Sequence, residues 1–330
     1  MNNYYVNRFR QMMRTYVGDS VPIHDVMYYI LDYLCAYFIY GASISDYFAY
    51  RFYKLRRSGR NEFITFRKYH KIQNICNPNL EDREICRNKV QFNNRFKDFL
   101  GRDWIDISIA SFADFESFVH RHDIIFVKEV SGYRGIGTTK YISAEIADIK
   151  SLYDSLKSDK KAKFIAEEKI VQNKELAKFH PWSVNTIRIV TVYDNKNDIV
   201  HFMNARLRMG NKKNHVDNFH YDGIGANINI ATGIIDTVGY DVHNTTYINH
   251  PETGKQIIGF QIPHWQECKK FTEKAARSLP EVRYVGWDIV IKEDGSFILI
   301  EANDNADHDF QQLYNKGLWK EYKQILCDIR

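Results

Sequence analysis

Cysteine is scarce and unpatterned in this chain. Cys35, Cys76, Cys86, Cys268 and Cys327 are scattered, odd in number and never form a CxxC pair. Neither a zinc site nor a disulfide framework reads from them, and reduced thiols in a cytoplasmic protein are the plain expectation. An excess of charge is lacking too. Lys+Arg 46 against Asp+Glu 41 leaves +5 over 330 residues, too balanced for a nucleic-acid binder but suited to anionic small molecules. No internal repeat is visible, no Gly-Lys-Ser/Thr motif marks a P-loop, and the first fourteen residues hold no apolar signal-peptide core. One run, residues 26–44, has the length of a membrane span. It carries Asp32 and five tyrosines and breaks at Gly41-Ala42-Ser43, so it predicts a buried or membrane-surface helix rather than a span.

What the chain does have is apolar and aromatic mass. It is 44% hydrophobic, with 22 Tyr and 21 Phe, which excludes a disordered polypeptide. Residues 1–85 read as a mostly helical accessory region. Tyr47, Phe48, Tyr50, Phe52 and Tyr53 are followed there by the basic cluster Lys54, Arg56, Arg57 and Arg60. Aromatics that stack on sugar rings, beside arginines that attract acidic sugars or lipid-linked diphosphates, are one expectation for this region; plain helix packing is the other.

From about residue 120 the periodicity becomes that of strands, at 124–130, 164–171, 186–193, 199–209, 284–292 and 297–303. Helical spacing appears at 144–156, 265–279 and 308–330. Strands and helices mix without strict alternation, which predicts an α+β fold.

Two features carry chemistry. The first is YVGWDIVIKEDGSFILIEAND, residues 284–304. Asp-Gly between alternating apolar runs signals a hairpin. A two-residue loop at Asp294-Gly295 sets Asp288 opposite Glu301, with Asn303 on the same face. Ile289, Ile291, Ile298 and Ile300 then fill the other face. Two facing carboxylates about 5 Å apart repel and call for a counter-charge, for which Mg2+ shared with substrate phosphates is suited. Neutralising either acid is then expected to relieve repulsion. The second feature is Lys128, three residues before SGYRGIG. Ser131, Gly132, Gly135 and Gly137 can bring backbone N–H groups close to phosphate oxygens.

Together these residues resemble the ATP-grasp superfamily, in which ATP lies between two α+β halves. HPWSVNTIRIVT, NARLRMG and VGWDIVIKEDGSFILIEAN are similar, more narrowly, to the sugar-transfer-associated ATP-grasp family of bacterial surface-polysaccharide genes. The resemblance covers roughly residues 45–305. It implies ATP and Mg2+ as cofactors, with Asp288, Glu301 and Asn303 as metal ligands. Lys89, Lys128 and the glycine loop would hold phosphate, Glu168, Lys169 and Ile170 would bind the nucleotide with Lys169 to Val171 as the adenine hinge, and Glu175 would bind the ribose. It also implies a pre-grasp segment and lid subdomain over residues 86–182 and a second subdomain over 183–330. Gly286 departs from the D-alanine ligase pattern, which has a phosphate-binding arginine there, so Arg188, Arg206 and Arg208 become the candidates for that role. In the loop 214–225, Asp217, Asn218 and His220 are candidates to meet acceptor or phosphate.

The implied activity is an ATP-dependent carboxylate–amine ligase acting through an acyl phosphate. Its substrates would be a uronic acid of a capsule or O-antigen precursor and an amino acid or amino alcohol. Contact with membrane-bound glycan assembly proteins at the inner face of the membrane would follow. A sugar kinase using the same ATP site, and a non-catalytic nucleotide-binding partner of a glycosyltransferase, remain as alternatives.

Overall fold

Eleven strands form two wholly antiparallel sheets in a computed structural model that describes residues 3–132, 137–212, 223–243, 245–312 and 316–329. The smaller sheet holds β1 (Trp104–Asp106), β2 (Ile124–Glu129), β3 (Thr138–Ile142) and β4 (Phe164–Glu168), in the order β1-β4-β2-β3. Helices Phe112–Arg121 and Ile149–Ser158 pack against it around Phe115, Phe118, Val119, Ile125, Val127 and Ala166. Both helices begin on side-chain caps, Ser111 in a full capping box and Asp148, which satisfy N–H groups that would otherwise be orphaned.

The larger sheet comprises β5 (Thr186–Asp194), β6 (Ile199–Met209), β7 (Ile224–Asn227), β8 (Gly239–Tyr240), β9 (Thr246–Tyr247), β10 (Tyr284–Ile291) and β11 (Phe297–Asn303). Their order is β11-β10-β5-β6-β7-β8-β9. Period-2 alternation divides its residues cleanly between two faces. Ile187, Ile189, Ala205, Leu207, Val285, Trp287 and Ile289 face one core, covered by the helix Trp265–Arg277. The segment around Phe92, Phe96 and Leu100, within the expected pre-grasp and lid region, packs into this same core. The second face is apolar at one end, where Val190, Val192, Met203 and Tyr284 meet helices Phe66–Cys76 and Trp319–Asp328. Its other end is charged. The single helix expected over 308–330 is two, His308–Gln312 and Trp319–Asp328. The short strands β1, β7, β8 and β9 carry too few residues to show a period.

The β10–β11 hairpin corrects its expected geometry. Lys292 N–H donates to Ser296 O and Gly295 N–H to Lys292 O, with Gly295 at φ 82°. The loop is therefore three residues, a turn closed by a left-handed glycine. A register shift between Asp288 and Ile289 then leaves Ile300 as a bulge. The two departures cancel, and Asp288 still faces Glu301. Between the turn and the bulge, the longer loop reverses which residues face the core. Leu299 and Ala302 fill it with Ile289 and Ile291, whereas Ile298 is buried outside it and Ile300 is half-buried.

The N-terminal residues form an aromatic core of their own. Helices α1 (Asn3–Tyr16), α2 (Ile23–Cys35) and α3 (Ile44–Ala49), with a π-helical turn Ala36–Tyr40, enclose Tyr40, Tyr47, Phe48, Tyr50 and Phe52. Those rings are buried, so they are not free to stack on a sugar. Arg60 is buried as well, forked onto Asp32 through two 2.9 Å bonds.

Candidate active site

A row of polar side chains crosses five strands of the large sheet. Register pairs run Glu301–Asp288, Asp288–Arg188, Arg188–Arg206 and Arg206–Asn227. Neighbours in such a row stand about 5 Å apart on one face. Arg208 and Asn303, two residues along their strands from Arg206 and Glu301, share that face. Of the four connections only Asp288–Arg188, between β10 and β5, joins strands that do not follow one another along the chain, and that one neighbour relation brings the arginines to the acids.

The counter-charge of the acidic pair is built into the protein. Arg188 donates to both oxygens of Asp288, at 2.5 and 2.9 Å, and Arg208 adds a third bond at 3.0 Å. Asp288 is 3% exposed. Burial pushes its carboxyl up, but the two guanidinium groups outweigh this and hold it below the usual carboxylate range. Glu301 goes the other way, raised by burial and then by the charge of Asp288. Among the described residues Glu301 has neither a hydrogen bond nor an ion pair. The expectation that Mg2+ must neutralise this pair is therefore corrected: the arginines neutralise Asp288, and Glu301 alone lacks a partner.

The donor set fits a hard divalent cation. Asp288 and Glu301 offer carboxylate oxygens, and the Asn303 amide lies beside them, its Nδ2 3.4 Å from Asp288 Oδ2. No cluster of three or more His, Cys, Asp or Glu able to hold a metal occurs among the described residues. Such a set suits Mg2+, which keeps waters and phosphate oxygens in its shell.

Gly286 explains how the site does without an arginine at that position. A Cβ there would sit 2.8 Å from Ala306 Cβ, 3.2 Å from Arg188 Cδ and 3.4 Å from Arg188 Nη1. Arg188, from the neighbouring strand, occupies the space a residue-286 side chain would enter. Gly286→Ala should accordingly cost about 1–3 kcal/mol of stability through overpacking, checked by urea denaturation, and should lower turnover by shifting Arg188.

Arg206 differs from its two partners. It is fully buried, lies 5.2 and 5.3 Å from the Tyr240 and Phe310 ring centroids and donates to Gln311 O at 2.7 Å. Burial lowers its pKa to about 9. Its guanidinium braces the interior under the row, while Arg188 and Arg208 engage Asp288.

The phosphate-side residues come from the small sheet and the helix Lys89–Arg95. Lys128 Nζ donates to Glu167 at 2.6 Å, and Arg102 holds the other oxygen of that buried carboxylate at 2.8 Å. Lys89 Nζ donates to Gly132 O at 2.6 Å, at the root of the glycine loop. Burial lowers the Lys89 pKa, opposed by the charge of Glu301 and assisted by that of Lys128. Those couplings set both lysines and the hairpin acid in one electrostatic neighbourhood. Ser131, Gly132 and Gly137 are on the β2–β3 loop, with Gly137 at φ 74° and Glu129 packed where its Cβ would be. Gly135 lies outside the described residues, as do Asp217, Asn218 and His220.

The expected hinge is the covalent link between the sheets. Lys169 N–H donates to Ile124 O on the small sheet, and Asn173 N–H donates to Ile291 O on the large one. Lys169 is exposed and Ile170 half-buried between them. Glu168 accepts from Asp103 N–H at 3.0 Å and lies 3.3 Å from His122. Glu175 is apart from the charged row. It pairs with Lys178 and borders a groove of about 440 Å³ that includes Lys255 and Phe260. Arg102 and Asn227 were not legible as site residues. Arg102 follows a turn and offers no period, and β7 is too short to display one.

Residues 121–326 match the sugar-transfer associated ATP-grasp family. No curated protein matches the chain. Among solved structures, the ATP-grasp ligase PsnB complexed with minimal precursor is similar at 14% identity, over 76% of this chain and 64% of that one (TM-score 0.47). D-alanyl-alanine synthetase A from Vibrio cholerae is similar at 11% identity, over 76% and 66% (TM-score 0.46). N5-carboxyaminoimidazole synthetase from Staphylococcus aureus complexed with ADP follows at 9%, over 68% and 45% (TM-score 0.42). The chain thus spans less than two thirds of each of these three structures. With its family match covering well over half of its length, the chain belongs to the sugar-transfer associated ATP-grasp family.

Proposed function

We propose that this protein is an ATP-dependent carboxylate–amine ligase that works through an acyl phosphate. The observation that carries this reading is Lys89: its amine holds Gly132 O at the root of the β2–β3 loop, and it is charge-coupled to both Lys128 and Glu301 of the row Glu301–Asp288–Arg188. Two lysines near two acids and two arginines suit a triphosphate and its divalent ion. Lys128 and Lys89 would bind the phosphate oxygens, and Glu301, Asp288 and Asn303 would hold Mg2+. Such an ion neutralises charge that develops on the β- and γ-phosphates.

A substrate carboxylate oxygen attacks the γ-phosphorus, and the bond to the β–γ bridging oxygen breaks to release ADP. The amine nitrogen then attacks the acyl carbon, inorganic phosphate leaves and the amine loses a proton. Arg188 and Arg208 are placed to hold oxyanions during these steps, because a guanidinium presents paired donors to phosphate or carboxylate. The protein contributes positioning and fixed charge rather than a covalent intermediate.

The family description points to a sugar-linked acceptor. We take the carboxylate to be a uronic acid of a surface-polysaccharide precursor and the amine an amino acid or amino alcohol. The test is phosphate release with ATP and Mg2+ over a matrix of uronic acids and amines, followed by mass spectrometry. An amide product that needs both partners is expected. A phosphosugar formed without amine would replace the ligase by a kinase, and the absence of both phosphate release and ADP formation with every pair would overturn both.

A further inference from the structure

The helix α2 is apolar on two faces, and only one of them is used. Tyr29, Tyr33, Ala36 and Tyr40 point into the N-terminal aromatic core. Ile23, Met27, Ile30, Leu31, Leu34 and Phe38 recur at helical spacing and face solvent, with Ile23, Leu31 and Phe38 exposing 84%, 58% and 69% of their surfaces. No side chain of α2 is buried. The stripe extends through the π-helical turn to its stop at Gly41, at φ 68°. Isolated exposed apolar residues are ordinary, but a continuous stripe along one helix marks an interaction surface.

Charge identifies the occupant. Residues 1–71 hold eleven Lys and Arg against five Asp and Glu, a net of +6, which leaves 35 against 36 in residues 72–330. The whole positive excess of the chain is therefore on the N-terminal segment. It also borders α2, at the C-terminal end of the stripe and along the side that carries Tyr29, Asp32 and Tyr33. Arg67 donates to the carbonyls of Tyr37 and Phe38 beside its end. Lys54 lies over Tyr53, whose ring contacts Tyr29 of α2. Arg56 and Arg57 are exposed next to Arg60, which is clamped to Asp32 on α2. Arg10 and Arg14 line a groove on α1, and α1 touches α2 through Phe9 and Tyr33.

We propose that α2 and its π-helical turn lie in the surface of a bilayer containing anionic phospholipid. The stripe would enter the acyl boundary and the surrounding basic residues would meet the headgroups. An amphipathic helix with this apolar stripe and basic flanks binds an interface in this way without crossing it. No helix among the described residues is long and apolar enough to span a membrane. The docking module is fixed to the catalytic half. His308, five residues beyond Asn303, bonds Asp46 of α3 at 2.9 Å, and Gln312 bonds the Tyr50 hydroxyl at 2.9 Å. Docking would therefore hold the hairpin with Glu301 at a fixed place over the membrane. The inference stands on the N-terminal surface alone and does not depend on the ligase reading.

The test is flotation of the full chain with vesicles of phosphatidylcholine alone, or with one third phosphatidylglycerol. Wild-type protein should float with the anionic vesicles, weakly with the neutral ones, and less as salt rises. Leu31→Asp with Phe38→Asp should weaken flotation at least about tenfold, with an unchanged melting curve because both side chains are exposed. Ile23→Ser, at the start of the helix, should weaken it in the same direction. Three outcomes would overturn the proposal: no flotation of wild type with anionic vesicles, variants that float as wild type does, or wild-type dimers that Leu31→Asp with Phe38→Asp dissociates while flotation is absent. The last would assign the stripe to a second copy of the chain.

Discussion

Glu301→Gln and Asp288→Asn should both reduce ATP turnover by at least about 100-fold and should move the stability of the free protein in opposite directions. Each substitution removes a carboxylate from the set that suits Mg2+, so the catalytic loss is shared. Stability separates them because their partners differ. Glu301 has no hydrogen bond or ion pair among the described residues, and burial and the Asp288 charge both oppose its ionised form. A neutral amide of the same shape removes that conflict, and thermal stability should hold or rise. Asp288 accepts three bonds from Arg188 and Arg208. Asp288→Asn takes its anion from the buried Arg188 and one contact from the partly buried Arg208, which should cost about 3–5 kcal/mol. Denaturant titration of both variants, with ATP turnover measured in parallel, decides it. Equal stability changes would mean that the arginines are held by something other than Asp288. Turnover near wild type in both would remove the metal assignment.

Lys128→Ala should weaken nucleotide binding about 10- to 100-fold, the size expected for losing a charge-assisted contact worth about 1.5–3 kcal/mol. The fold should survive, because Arg102 remains on Glu167 at 2.8 Å when the lysine is gone. Lys128→Arg should rescue poorly. The slot beside Glu167 accepts one ammonium at 2.6 Å, and a planar fork with a longer reach is not equivalent there. Arg102→Met provides the contrast. It removes the more buried partner of Glu167 and should lower stability first. Titration calorimetry with ATP, beside melting curves, reads both effects. Unchanged affinity in Lys128→Ala would reduce the glycine loop to an ordinary hairpin turn.

The sequence by itself determined the local pairs. Alternation with period two fixes which side chains of one strand share a face, and a turn signal fixes which neighbour lies opposite. On that basis Asp288 and Glu301 face each other in the structure, although the loop is one residue longer than a two-residue turn and the Ile300 bulge restores the register. The strands β5 and β6 pair as their periods imply. The rest depended on the order β11-β10-β5-β6-β7, which no local period encodes. That order lays Arg188 against Asp288, 100 residues away. It sends Arg206 beneath Tyr240 and Phe310 and makes Gly286 the gap through which Arg188 passes. It also decides which aromatic rings are spent on packing. The period of α2 is helical on both of its faces, and only the packing of α1 and α3 shows which face is covered and which is left to solvent. Periodicity acts over a few residues through backbone geometry. Strand order and helix coverage are settled by burial summed over the whole chain, and that sum exists only once the chain has folded.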